Sequence, residues 1–139
     1  LMGGENIEPI PIEQKLATSQ YIQTAIVFGT NEKGEDQRYL TALILPSQED
    51  LEGYAKENNV EYQSYEQLIQ TEQINKLIEA EIAELISAKN GFKSFEKINK
   101  FDIITKPFEV GVELSAKQEM MRYKIAEQYK AKIAKMYKA

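Results

Sequence analysis

Any chemistry in this chain must be done without imidazole or thiol, because none of its 139 residues is His or Cys. That removes the usual general base, the thiolate nucleophile and nearly every zinc or haem ligand set. Carboxylates, lysines, arginines and hydroxyls remain, and the redox compartment is unreadable. Three short runs gather such groups, or glycines that let a backbone approach a ligand: "GGENIEP" from Gly3, "EDLE" from Glu49, and "SAKQ" from Ser115. Each has an ordinary structural reading. The glycine run is a ligand-approach loop or a turn between two elements. The acidic run is a solvated helix start. The last run has the spacing of a helix cap, with Ser115 and Gln118 as its S-x-x-Q. Residue types and spacing alone define a globular α+β domain and stop short of an activity.

Composition narrows the classes further. The chain is 42% apolar and 28% charged, ordinary for a globular domain, and long enough for one core without disulfides or a metal. A net charge of -5 argues against a nucleic-acid partner, which would need a basic face. The longest apolar runs, "AIVF" and "ALIL", are far too short for a membrane span, and no signal-peptide pattern precedes them.

The elements that must position any site follow from periodicity and punctuation. Pro9 and Pro11 fit the start of a short helix over Ile12 to about Ser19. "YIQTAIVFGT" reads as a strand stopped by Gly29, and "YLTALILP" as a second strand closed by Pro46, the two antiparallel through a loop containing Gly34. Ser47 and Ser64 cap two helices. Ile74, Leu77, Ile78, Ile82, Leu85 and Ile86 fall on one face of a third, ended by Asn90-Gly91; this stripe is core rather than a lipid groove. "KINKFDIITKPF" is a later strand with Phe101, Ile103 and Phe108 as inward candidates. Gly111 marks a turn. A long last helix follows Ser115, with Met121, Ile125, Tyr129, Ile133 and Met136 on one face. The fold class expected is α+β: a small sheet of about three main strands, two antiparallel plus one later, with helices packed on it.

Two blocks carry a resemblance. "GGENIEPIPIE" resembles the segment just past the hinge in adenylate-forming acyl-CoA ligases, G-x-x-I-x-P-x-x-I-E, borne here by Gly4, Ile7, Pro9, Ile12 and Glu13. Its GGEN-x-EP form is similar to that of long-chain fatty-acid CoA ligases. "INKFDIITKPFEVGVELS", followed by Arg122 and Tyr129, resembles the final region of that subfamily, and the similarity runs over nearly the whole chain.

The resemblance implies that residues 1–139 form a single C-terminal lid domain beginning just after the hinge, with the large N-terminal domain as its partner. The enzyme would join fatty acid to CoA at the expense of ATP, with magnesium in the first step, giving acyl-CoA, AMP and pyrophosphate. The lid would rotate between an adenylation pose and a thioester pose. Gly3 and Gly4 would border the CoA tunnel, where a side chain would block the thiol's path. No cofactor is expected on the segment alone, and the segment alone is expected to be inactive. Neither a nucleic-acid partner nor a transmembrane segment is implied. A cytoplasmic location is, with peripheral membrane attachment of the full-length enzyme left open. In the adenylation pose a lysine would offset charge at the α-phosphate. Counting from Leu114 and back from Arg122, that lysine's position holds Glu119, and Lys117 is the displaced candidate. Two alternatives stand beside this reading: the lid of a relative with another acid or acceptor, and a non-catalytic α+β binding module.

Overall fold

The structure, a computed structural model, describes residues 7–30 and 36–138. Strand β1 (Ile22–Thr30) pairs antiparallel with β2 (Asp36–Pro46), setting Ile26 opposite Leu43 and Val27 opposite Ala42. Strand β3 (Ile98–Ile103) joins the other side of β2 in parallel, with Ile44 opposite Ile103. The sheet order is β1-β2-β3, so β1 is an edge strand. The parallel pairing follows from the long helical crossover between β2 and β3, which returns the chain to the end where it began.

Period-two alternation divides the sheet into two apolar faces. Ala25, Val27, Leu40, Ala42 and Ile44 point to one cluster, and Ile26, Leu43 and Leu45 to the other. The first face is covered by α1 (Pro9–Leu16), α2 (Gln48–Glu57), α3 (Tyr65–Leu68) and α4 (Glu72–Leu85), which bury Ile12, Leu16, Leu51, Leu68, Ile74, Ile78 and Ile82 against it. The second lies under the C-terminal helices α5 (Arg122–Gln128) and α6 (Lys130–Met136), through Ile125 and Met136. Strands covered on both faces lose the polar-apolar alternation, which is why "AIVF" and "ALIL" read as continuous apolar runs. The expected α+β class, with a small three-stranded sheet and helices on it, is the fold observed.

Local chemistry explains the helix starts. Ser47, Ser64 and Thr71 each accept a backbone N–H from the first turn, from Asp50, Gln67 and Ile74 respectively. Several boundaries differ from expectation: β2 begins at Asp36 and β3 ends at Ile103, and four further differences have a local reason. Helix α1 begins at Pro9 and ends at Leu16, because the fixed φ of proline suits the first helical position. Strand β1 runs through Gly29; that glycine makes room, since a Cβ there would lie 2.8 Å from Leu40 Cδ2. Helix α4 stops at Leu85, and Asn90-Gly91 instead closes a separate 3-10 turn, Ala88–Asn90, with Gly91 at φ 87°. The last helix starts at Arg122 and breaks at Tyr129, whose φ of -108° and ψ of 24° leave the helical region.

Candidate functional site

Between β3 and α5 the chain builds two stacked turns in place of the expected helix start. The first is folded around one acceptor: the Glu109 carbonyl takes the N–H groups of Val112, Glu113 and Leu114, each at 3.1 Å. Gly111 supplies the left-handed step, with φ 88°. Glu113 is fully buried, and its Oε1 accepts the Glu109 N–H at 2.9 Å. Burial pushes this carboxyl up, but the Glu109 N–H, the Gln128 side chain and the Lys106 charge outweigh it and hold it below the usual range.

The second turn is a hairpin. Leu114 bridges Met120 in antiparallel fashion, the Ser115 N–H donates to the Glu119 carbonyl at 2.8 Å, and the Gln118 N–H donates to the Ser115 carbonyl at 2.8 Å. Gln118 has φ 65°, so the loop is a tight turn followed by a left-handed bulge residue. Ser115 does act through its hydroxyl, but on the N–H groups of Lys117 and Glu119, each at 3.2 Å. A serine that bonds its neighbours' backbone offers an alternative to helix, and here the alternative wins over the expected capping box.

The hairpin separates the two candidate residues. Lys117 stands at the tip, exposed, and its ammonium has no ion-pair partner among the described residues. Glu119 lies at the base, across from Ser115, also exposed. Gly3 and Gly4, the CoA-tunnel candidates, lie outside the described residues.

The hairpin stands on two anchors. The Met121 N–H donates to the Glu113 carbonyl at 2.8 Å, fixing its exit. The next residue, Arg122, reaches across to α1 and β1. Its Nη2 donates to Glu13 Oε1, its Nη1 donates to the Val27 carbonyl at 3.4 Å, and Glu13 Oε2 accepts the Val27 N–H at 2.8 Å. At this sheet edge no strand among the described residues lies beside Val27, and the carboxylate and guanidinium take the bonds that a strand would have made. Glu13 is 5% exposed. Sequence reading placed Glu13 and Arg122 in separate motifs and did not pair them; residues 109 apart leave no local signal.

The exposed large apolar side chains among the described residues are Ile10, Val110, Val112 and Tyr123, all on α1, α5 or the turns between β3 and α5. A groove of about 1070 Å³ lies elsewhere, between α4 and β3, with Lys93, Lys97 and Lys135 on its walls; Lys117 does not line it.

The three-stranded α+β unit, with helices on both faces of its sheet, is a fold shared with known proteins. Residues 1–139 match the family described as AMP-binding enzyme C-terminal domain, and the chain belongs to that family. It is 31% identical over 139 residues to the Arabidopsis thaliana protein named "Probable acyl-activating enzyme 16, chloroplastic", a match covering 99% of this chain and 18% of that protein. The adenylation domain of a carboxylate reductase from Mycobacterium chelonae superposes with a TM-score of 0.75 at 24% identity, over 99% of this chain and 19% of that one. The fatty acyl CoA synthetase of Mycobacterium tuberculosis gives a TM-score of 0.51 at 17% identity, over 94% of this chain and 19% of that one. At these identities the two structures establish the fold. The chain spans less than a fifth of the length of each relative.

Proposed function

We propose that this domain is the mobile lid of a long-chain fatty acid:CoA ligase, and that Lys117 is the cation it delivers to the adenylation step. The observation that carries the reading is the hairpin, which puts an exposed ammonium at the tip of an otherwise anchored segment. In the first half-reaction a carboxylate oxygen attacks the α-phosphorus of ATP, and the bond to pyrophosphate breaks. Negative charge gathers on the α-phosphate oxygens as the attack proceeds, and a positioned ammonium in a water-poor site offsets it. In the second half-reaction the CoA thiol loses its proton and attacks the acyl carbon, releasing AMP. The lid has then turned, Lys117 has left, and Gly3 and Gly4 border the pantetheine path.

The chain's own residues fit ATP as a source of positive charge. Magnesium in the first step is part of the proposal; no group of three or more potential metal ligands gathers among the described residues. The large N-terminal domain of the same enzyme is the partner, carrying the ATP and acyl sites. No helix among the described residues is long and apolar enough to cross a membrane; a cytoplasmic location is part of the proposal.

The long-chain assignment is supported by the GGEN-x-EP form of the first motif. A second reading, an acid-activating enzyme with another acceptor, has the carboxylate reductases in its favour. Their A-PCP didomain from Segniliparus rugosus, solved in complex with AMP, superposes with a TM-score of 0.74.

The experiment uses the full-length enzyme with palmitate. Pyrophosphate exchange reports adenylation, and CoA-dependent release from supplied palmitoyl-adenylate reports the second step. Lys117→Ala should slow exchange on the order of 100-fold and leave release unchanged. Glu119→Ala should leave both close to the parent. Parent-like exchange by Lys117→Ala would sink the lysine assignment. Exchange with short or aromatic acids but not with palmitate, or palmitoyl-adenylate that free CoA cannot discharge, would favour the second reading.

A further inference from the structure

Among the described residues, the backbone hydrogen bonds of residues 115–119 run within the hairpin itself. Its internal shape is therefore self-determined, while its direction is inherited from the residues at its base. One end of that base is Glu113, held in the turn below it. The other is Arg122, held by Glu13 and Val27. Glu13 belongs to α1, the helix that follows the glycine motif, and is itself fixed by burial and by the Val27 N–H. One ion pair thus joins the segment after the hinge, the edge of the sheet and the exit of the Lys117 hairpin.

We propose that Glu13 and Arg122 are positioning residues for adenylation: their pair sets the direction of the Lys117 hairpin relative to the post-hinge helix, and so where the ammonium stands when the lid closes on the large domain. The inference rests on the reading of Lys117 given above. Arg122 suits the task because its planar fork spans the Glu13 carboxylate and the Val27 carbonyl together, which a lysine cannot do. A small loss of aim matters because catalytic groups displaced by about 1 Å can lose on the order of 100-fold in rate.

The alternative is that the pair only satisfies the sheet edge, in which case its loss lowers stability and acts on both half-reactions alike. The test is a set of full-length variants assayed for both half-reactions and for thermal midpoint: Glu13→Gln, Arg122→Lys, Lys117→Ala, and Glu13→Gln combined with Lys117→Ala. Glu13→Gln should lower kcat of pyrophosphate exchange on the order of 10-fold, with KM for ATP unchanged and thioester release unaffected. Arg122→Lys keeps the cation but loses the fork, so it should also lower kcat of exchange and spare release, by a smaller factor than Glu13→Gln. In the Lys117→Ala background, Glu13→Gln should cost nothing further, since no ammonium remains to be aimed.

Equal losses in both half-reactions overturn the proposal, as does an undiminished effect of Glu13→Gln in the Lys117→Ala background. Slow exchange by Lys117→Ala beside parent-like exchange by Glu13→Gln overturns the positioning role alone. Parent-like exchange by Lys117→Ala removes both it and the reading beneath it. Should Glu13→Gln fail to fold, Arg122→Lys alone and combined with Lys117→Ala carries the same comparison.

Discussion

The two faces of the sheet are covered by different kinds of structure. On one, α1 to α4 lay down isoleucines and leucines at helical spacing, and the result is a broad layer whose task is burial. On the other, Ile26, Leu43 and Leu45 meet Ile104, Ile125 and Met136, with Phe108, Met120, Tyr129 and Ile133 filling the margins. This second cover is part turn and part short helix. It must do two things at once, since Met120 packs downward while Lys117, three residues earlier, stands in solvent. A regular helix repeats one environment every 3.6 residues; a hairpin can bury its base and expose its tip. The contrast separates a face that holds the domain together from one that also presents a charge.

The largest effect expected from breaking this contrast lies on the first face. Ile78 is fully buried at the centre of α4. Ile78→Ala should destabilise the chain by about 2–5 kcal/mol, through lost transfer energy and the cavity left behind. Urea unfolding of the parent and the variant measures it. In full-length enzyme that remains folded, the proposed pyrophosphate exchange should stay within a few-fold of the parent, because Ile78 makes no bond to the hairpin or to its Glu13–Arg122 anchor and reaches them only through packing on α1. A variant that kept its stability but lost exchange would reverse the assignment of the two faces.

The first face was also the legible one. The stripe from Ile74 to Ile86, the caps at Ser47 and Ser64 and the β1–β2 pair are local signals, and the elements they mark form, with some ends shifted. The parts that escaped are not local. S-x-x-Q fits a capping box, yet Ser115 bonds the N–H groups two and four residues on, and only the bridge from Leu114 to Met120 decides for the hairpin. Gly29 looks like a stop until Leu40 is seen against it. Lys117 is a candidate through the resemblance alone, and no local signal places it at a tip. Its anchor could not be found at all, because Glu13 in α1 and Arg122 before α5 meet only through the folded sheet edge.

A smaller effect should appear with pH on the second face. Glu113 is held below the usual carboxyl range in the folded chain: burial opposes this, and the Glu109 N–H, Gln128 and Lys106 prevail. A carboxyl with a lowered folded pKa adds stability that is fully present above its unfolded value, near 4.5, and is lost as pH falls through the folded value. Unfolding free energy should therefore drop on acidification below about pH 4.5, and Glu113→Gln, which cannot titrate, should flatten that drop. Identical acid limbs for parent and variant would mean that other carboxylates carry the acid sensitivity.

The smallest effect concerns the hairpin tip. Four residues among those described have positive φ: Gly91, Gly111, Asn59 and Gln118. Asn tolerates the left-handed region through its short polar side chain, whereas Gln gains nothing comparable there. The left-handed conformation costs an ordinary L-residue roughly 1–2 kcal/mol. Glycine removes that cost but loses about 0.5–1 kcal/mol through its greater freedom in the unfolded chain. Gln118→Gly should therefore stabilise the domain by roughly 0.5 kcal/mol, the small remainder of those two terms. Denaturant unfolding can resolve a change of this size if the slope is unchanged. Because the Ser115 hydroxyl still takes the N–H groups of Lys117 and Glu119, the tip should keep its shape and pyrophosphate exchange should stay within a few-fold of the parent. A clear loss of stability would show that the Gln118 side chain makes a contribution larger than the strain of its backbone. Unchanged stability with a large loss of exchange would mean that stiffness at the tip, and not only its anchor at Arg122, holds Lys117 in place.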